Sequence, residues 1–110
     1  MSFGKKQVRQ NFRDDCYKRD GFRCAMCPFK SCKEKAQEEL DAHHVTDRTL
    51  MPNGGYVKEN GISLCSDCHK KAEVFHETGT SHPGYSPEDL YQKIKSSLEK
   101  ATEASEKLKA

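Results

Sequence analysis

Cysteine and histidine carry the chemistry of this sequence. Cys24 and Cys27 form one Cys-x-x-Cys pair, and Cys65 and Cys68 form a second. Two sulfurs at this spacing in a tight turn reach one ion, and two such pairs complete a tetrahedral four-cysteine site for structural Zn2+. The 37 residues between the pairs exceed the roughly 15–20 of a plain zinc ribbon. Something is therefore inserted between the knuckles. A knuckle on a hairpin, then a β-hairpin, then a knuckle opening a helix describes a treble-clef arrangement. Disulfide bonding is one competing reading. Replacement of a ligand by Cys32, through the loop Cys27-Pro28-Phe29-Lys30-Ser31-Cys32, is another. No apolar stretch follows Met1-Ser2-Phe3-Gly4-Lys5-Lys6, so no signal peptide is expected and the default compartment is reducing, where Cys pairs bind metal more often than they oxidise. Cys16 reads as a small apolar residue between a helix and the core.

The insert carries Asp41-Ala42-His43-His44-Val45, then Asn60, and His69 directly follows Cys68. Neighbours on a strand point to opposite faces, so without a bend His43 and His44 cannot both hold one ion. One can hold metal while the other faces substrate. Cys68 and His69 are about 100° apart on a helix, so one can face zinc and the other a second ion. His69 and Glu73 are i, i+4 and share a face, which His76 joins. Glu73 is a candidate third ligand or ligand orienter; a solvated helix face is the competing reading for Glu73 and His76. Neutral histidine is a good base near pH 7, since its ordinary pKa is about 6.5.

This set, in this order over roughly residues 18–77, resembles the HNH endonuclease family. The resemblance implies a zinc-containing ββα-metal domain that hydrolyses DNA phosphodiester bonds, leaving 5′-phosphate and 3′-hydroxyl ends. It implies His44 as general base, and Asn60 as the residue holding the hairpin loop and the base in place. His43 and His69 match the ligands of a catalytic divalent ion, Mg2+ or another divalent transition metal. His43 stands where many members have Asp, a change that bears on metal preference. Cys24, Cys27, Cys65 and Cys68 match the structural zinc of one large branch. Small size, with the family analogy, implies a stand-alone bacterial or phage nuclease in the host cytoplasm, a monomer or weak dimer.

The elements that must position these residues are legible in part. Residues 5–20 read as a helix with the stripe Val8, Phe12 and Cys16, ended by Asp20-Gly21. Residues 29–39 are ambiguous between loop and short helix. Leu40–Val45 and Ile62–Leu64 read as short strands, with turns at Met51–Gly55 and Asn60-Gly61. Ser66 or Asp67 can cap a helix running to about Thr78. Ser86-Pro87-Glu88-Asp89 starts a final helix, with a stripe of Leu90, Ile94, Leu98, Ala101 and Leu108 that thins beyond Leu98, so its end is expected to fray. The expected fold is α+β: a zinc-stapled treble clef over 22–78, a basic helix over 1–21, a linker over 79–85 and a C-terminal helix over 86–110.

Composition bounds the alternatives. Apolar residues are 34% of the 110, with no Trp, against roughly 45–50% in soluble domains, a figure that also counts Gly. So thin a core calls for a staple. No run of 18 apolar residues exists, so no membrane span is expected. The net charge is +2, yet residues 1–23 carry +4. Four thiolates on one zinc ion would bring the total near zero, so the basic segment is a better sign of DNA binding than the net charge. Lys5, Lys6, Arg9 and Arg48 are the candidate phosphate contacts; exposed helices often look alike. The rivals are a non-catalytic zinc module that binds nucleic acid and an assembly protein using its terminal helix.

Overall fold

The computed structural model describes residues 4–108. The expectations for Met1-Ser2-Phe3 and for the last two residues of the final helix lie outside that range.

Helix α1 (Lys5–Arg19) buries Val8, Phe12, Cys16 and Tyr17. Gly21 and Phe22 end it in the left-handed region, at φ of 72° and 59°. Phe22 packs against a small cluster of Tyr17, Ala36 and Leu40. Ala36 belongs to a single helical turn, α2 (Ala36–Glu39), which settles the ambiguous stretch.

Strand β1 (Asp41–His44) pairs antiparallel with β2 (Gly61–Leu64), with Asp41 opposite Leu64 and His44 opposite Gly61. All four β2 residues are buried. The far edge of β2 is closed by side chains and by the first knuckle. Asp20 Oδ2 accepts from the Ser63 N–H at 2.9 Å, and Arg19 donates to the Gly61 and Lys58 carbonyls at 2.7 and 2.5 Å. The Ala25 N–H donates to the Ser63 carbonyl at 2.9 Å. Such closure protects an edge that would otherwise template pairing with another chain.

A Cβ on Gly61 would collide with Cys16 Sγ and the Phe12 ring. Glycine is needed here because α1 lies directly on the sheet. Its backbone is extended and unstrained.

Helix α3 (Ser66–Thr78) follows β2 and buries Cys68 and Ala72. Neither Ser66 nor Asp67 caps it; Cys65 occupies the cap position, without a side-chain cap bond. The main core joins Val45, Ile62, Leu64, Ala72, Leu90 and Ala101 to Cys24, Cys65 and Cys68. Among the described residues no helix is long and apolar enough to cross a membrane.

The expected single C-terminal helix is two. α4 (Pro87–Lys93) begins with a complete capping box between Ser86 and Asp89. α5 (Leu98–Glu106) begins at a Ser97 cap, whose hydroxyl accepts from the Lys100 N–H. Between them Lys95 is left-handed at φ 57°. Ser96 turns its N–H back to the Tyr91 carbonyl. Ser96-Ser97 favours a cap over helix continuation. The break also corrects the stripe: Leu98 is 54% exposed, while Ala101 and Ser105 are fully buried. The last helix is therefore packed as far as Ser105.

Two outcomes follow from the α1 contact. Gly61→Ala should cost about 1–3 kcal/mol by overpacking, read by urea unfolding. Burial pushes the Cys16 thiol up to about 12 from its ordinary 9.0. A thiol held neutral stabilises the fold fully below pH 9 and loses that contribution as pH rises toward 12. Cys16→Ala should therefore flatten the alkaline loss of stability in that window.

Candidate active site and metal centres

The first knuckle is a tight hairpin closed by a bridge between Arg23 and Lys30 and by the Cys24 N–H on the Phe29 carbonyl. It presents Cys24 and Cys27. Cys65 ends β2, and Cys68 sits in the first turn of α3. The four sulfurs lie within 4.8 Å of one another, and Cys27 and Cys65 are 3.6 Å apart. Sulfurs bonded at about 2.3 Å to one tetrahedral ion stand about 3.8 Å apart, so this donor set suits zinc. The Tyr85 hydroxyl lies 3.2 Å from Cys68 Sγ, with Lys71 over its ring, so it can support a thiolate as ligand orienters do. Cys32 is exposed and Cys16 is buried elsewhere; neither joins the cluster.

A second group of donors gathers between β1 and α3. Strand alternation turns His43 toward α3 and His44 toward α1. One ring nitrogen each from His43 and His69 and a Glu73 carboxylate oxygen lie within 4.8 Å of one another. Glu73 Oε1 is 3.2 Å from both His43 Nδ1 and His69 Nε2. Ligand atoms sharing an ion at about 2.1 Å stand about 3.0–3.4 Å apart, so the group fits one divalent cation. His43 is 2% exposed. Despite its nearness to Glu73, neither of its ring nitrogens makes a hydrogen bond. A buried, unpartnered imidazole requires an explanation, and an ion would supply one. Burial, aided by the neighbouring histidines, lowers the His43 pKa to about 3, leaving a neutral ring with a lone pair to give. Asp41 Oδ2 lies 3.2 Å from His69 Nδ1, which favours the tautomer that leaves Nε2 free for the cluster.

His44 lies beside this group but is held from the other side. The Phe12 ring stacks on it at 4.6 Å, and Tyr56 meets it edge-on at 4.7 Å. Burial, with the Arg48 charge nearby, lowers its pKa to about 4. His44 lines a concavity of about 320 Å³ with His43, Arg48, His69, Glu73 and His76. It also lines a second of about 340 Å³ reaching Arg9, Arg13 and Tyr56.

Asn60 is fully buried. Its Oδ1 accepts from the Thr46 N–H and the Tyr91 hydroxyl, and its Nδ2 donates to the Thr46 and Gly55 carbonyls. All four capacities of the amide are used.

Glu73 and His76 are not simply a solvated face. Glu73 stands between the two histidines, and His76 Nε2 donates to the His44 carbonyl at 2.8 Å while stacking on His43. Among the basic candidates, Arg48 Nη1 reaches the Tyr56 hydroxyl at 3.2 Å, and the Arg9 guanidinium lies over the Tyr56 ring. Lys5 lines a third concavity, of about 310 Å³, with Arg9 and Tyr56. Lys6 is exposed on α1 and is not brought to the site. Asp41, Phe12 and Tyr56 are additions to the site residues read from sequence. Asp41 carried a signal, since i, i+2 on a strand puts it on the His43 side. Phe12 read only as core.

Purified protein should contain one tightly held zinc per chain, by elemental analysis. Structural zinc supplies on the order of 10–16 kcal/mol, more than the ~5–15 kcal/mol net stability of a domain, so a strong chelator should unfold the chain. Cys32→Ser should leave zinc content unchanged, whereas Cys65→Ser should lose it.

Residues 24–75 match the HNH endonuclease family. No curated protein and no solved structure matches the chain. The matched stretch runs from the first zinc-type cysteine through β1, β2 and most of α3, and contains both donor clusters. The match points to a nuclease or other nucleic-acid-related function, and it makes residues 24–75 of this chain similar to the HNH endonuclease family.

Proposed function

We propose that the protein is a metal-dependent endonuclease acting on DNA, with His44 as general base. The observation that carries this reading is the convergence of His43, His69 and Glu73 on one point beside a neutral His44, in a shared concavity. A bound divalent ion would supply Lewis-acid charge to the scissile phosphate and its leaving oxygen. Two imidazoles and one carboxylate suit a transition metal better than Mg2+.

The chain's own groups divide the remaining work. His44 takes a proton from the attacking water, which its depressed pKa permits throughout the neutral range. Phe12 and Tyr56 hold its ring between them. Asn60 fixes the backbone just after it, through both polar groups of the Thr46 backbone. Arg48 and Arg9 border the site and offer charge to phosphates. Lys5 and Lys6 extend that charge along α1. The competing reading is a zinc-stapled module that binds nucleic acid without cutting it. It leaves His43 without a function for its burial.

Plasmid cleavage across a panel of divalent ions separates the two. His44→Ala should lower the rate by about 10²–10⁴, with zinc content and DNA affinity nearly unchanged. His43→Ala and His69→Ala should weaken binding of the second ion, with partial rescue by excess ion. DNA binding should weaken with salt, log affinity falling by about 0.9 per neutralised phosphate for each decade. Combined Gln substitutions of Lys5, Lys6 and Arg9 should flatten that slope. Wild type that binds DNA but cuts under none of the ions would establish the binding module instead.

A further inference from the structure

The two C-terminal helices follow the segment 24–75, yet they and the turn between them hydrogen-bond to the connection between β1 and β2. The Tyr91 hydroxyl donates to Asn60 Oδ1 at 2.8 Å and meets Thr46 Oγ1 at 2.6 Å. Ser96 Oγ donates to the Glu59 carbonyl at 2.8 Å. The Ser105 carbonyl accepts from Asn53 Nδ2 at 2.9 Å. α4, the turn after it and α5 thus touch that connection at four points along its length.

Tyr91 is the member with chemistry at stake. It is 5% exposed, and burial raises its phenol above the ordinary value, so the hydroxyl keeps its proton and donates. Asn60 Oδ1 takes one bond from Tyr91 and one from the Thr46 N–H. Thr46 stands two residues after His44. Removing the hydroxyl leaves the buried Asn60 Oδ1 and the half-buried Thr46 hydroxyl each short of a partner, and the remaining bonds loosen because each had been polarised by the next. Small displacement of a reacting group is costly, up to about 100-fold for a shift of 1 Å.

We propose that Tyr91 is a positioning residue for His44, acting through Asn60 and Thr46, and that α4 is therefore part of the active site although it lies outside the matched segment. This rests on the reading of His44 as the base. Tyr91 does not touch substrate; it sets where the backbone leaving β1 can go.

The test compares zinc-loaded wild type, Tyr91→Phe and Leu90→Val. Tyr91→Phe keeps the ring and removes only the hydroxyl. Leu90→Val thins the core on the same helix without touching the network. Single-turnover cleavage of a duplex oligonucleotide with Mn2+, well below both melting temperatures, reads the chemical step; fluorescence anisotropy reads DNA affinity. Tyr91→Phe should lower the single-turnover rate about 10-fold, with DNA affinity and zinc content within about two-fold of wild type. Leu90→Val should lower the melting temperature and leave the rate unchanged. Hydrogen exchange at the Thr46 amide, which donates to Asn60, should speed up in Tyr91→Phe and not in Leu90→Val. An unchanged rate in Tyr91→Phe overturns the proposal, as does a Leu90→Val rate reduced in step with its stability. If wild type cuts with no ion, the nuclease reading fails instead, and an unchanged Thr46 exchange rate in Tyr91→Phe would then overturn the coupling on its own.

Discussion

Four residue pairs between β1 and β2 decide which face each histidine meets. In a pleated strand a slip of one residue would exchange His43 and His44 between the α3 side and the α1 side. The donor cluster would then lose its buried imidazole, and the aromatic clamp would close on the wrong ring. Two strands of four residues are marginal by themselves, so the register is held from outside. Asp20 and Arg19 fasten the far edge of β2 at Ser63 and Gly61. Cys65 fixes the end of β2, and Asn60 fixes its start. The absence of a Cβ at Gly61 admits α1 at the one height where these contacts all form.

Around this register the molecule has little apolar material. Its main core is small and includes three of the four clustered cysteines, so the sulfur site and the hydrophobic centre are one region. The site is therefore stiff on the α3 side, where sulfurs and buried aliphatics meet. On the α1 side stiffness comes from ring packing around His44 and from the polar anchors at the end of α1. The bonds of Arg19 to Gly61 and of Asp20 to Ser63 are part-buried, so each counts for more than one at the open surface.

Much of this was legible in the residues. The cysteine spacing located both knuckles, strand alternation separated His43 from His44, and the Val8, Phe12, Cys16 stripe placed α1. The family resemblance added an order of motifs that spacing alone does not name. What escaped was non-local. Asn60 before a glycine reads as a turn residue in any protein; its role depends on a tyrosine 31 positions away. The break at Lys95 was hidden because Leu90, Ile94, Leu98 and Ala101 keep helical spacing across it. A stripe reports which residues are apolar, not whether the backbone between them stays helical. Glu73 could be read either as a ligand or as a solvated side chain, because one of its two partners, His43, arrives from a strand.

The two knuckles also bear on how the chain finds its fold. Once the four sulfurs share an ion, everything from Cys24 to Cys68 becomes a closed ring, with β1, Asn60 and β2 inside it and α1, α4 and α5 outside. Closing a ring of this size removes conformational freedom from the disordered chain before any strand has paired. The search for register then takes place between short tethers instead of along an open polymer, and pairing of β1 with β2 becomes an effectively local event, which speeds folding. The helices outside the ring can dock afterwards, each onto a hairpin whose register is already chosen.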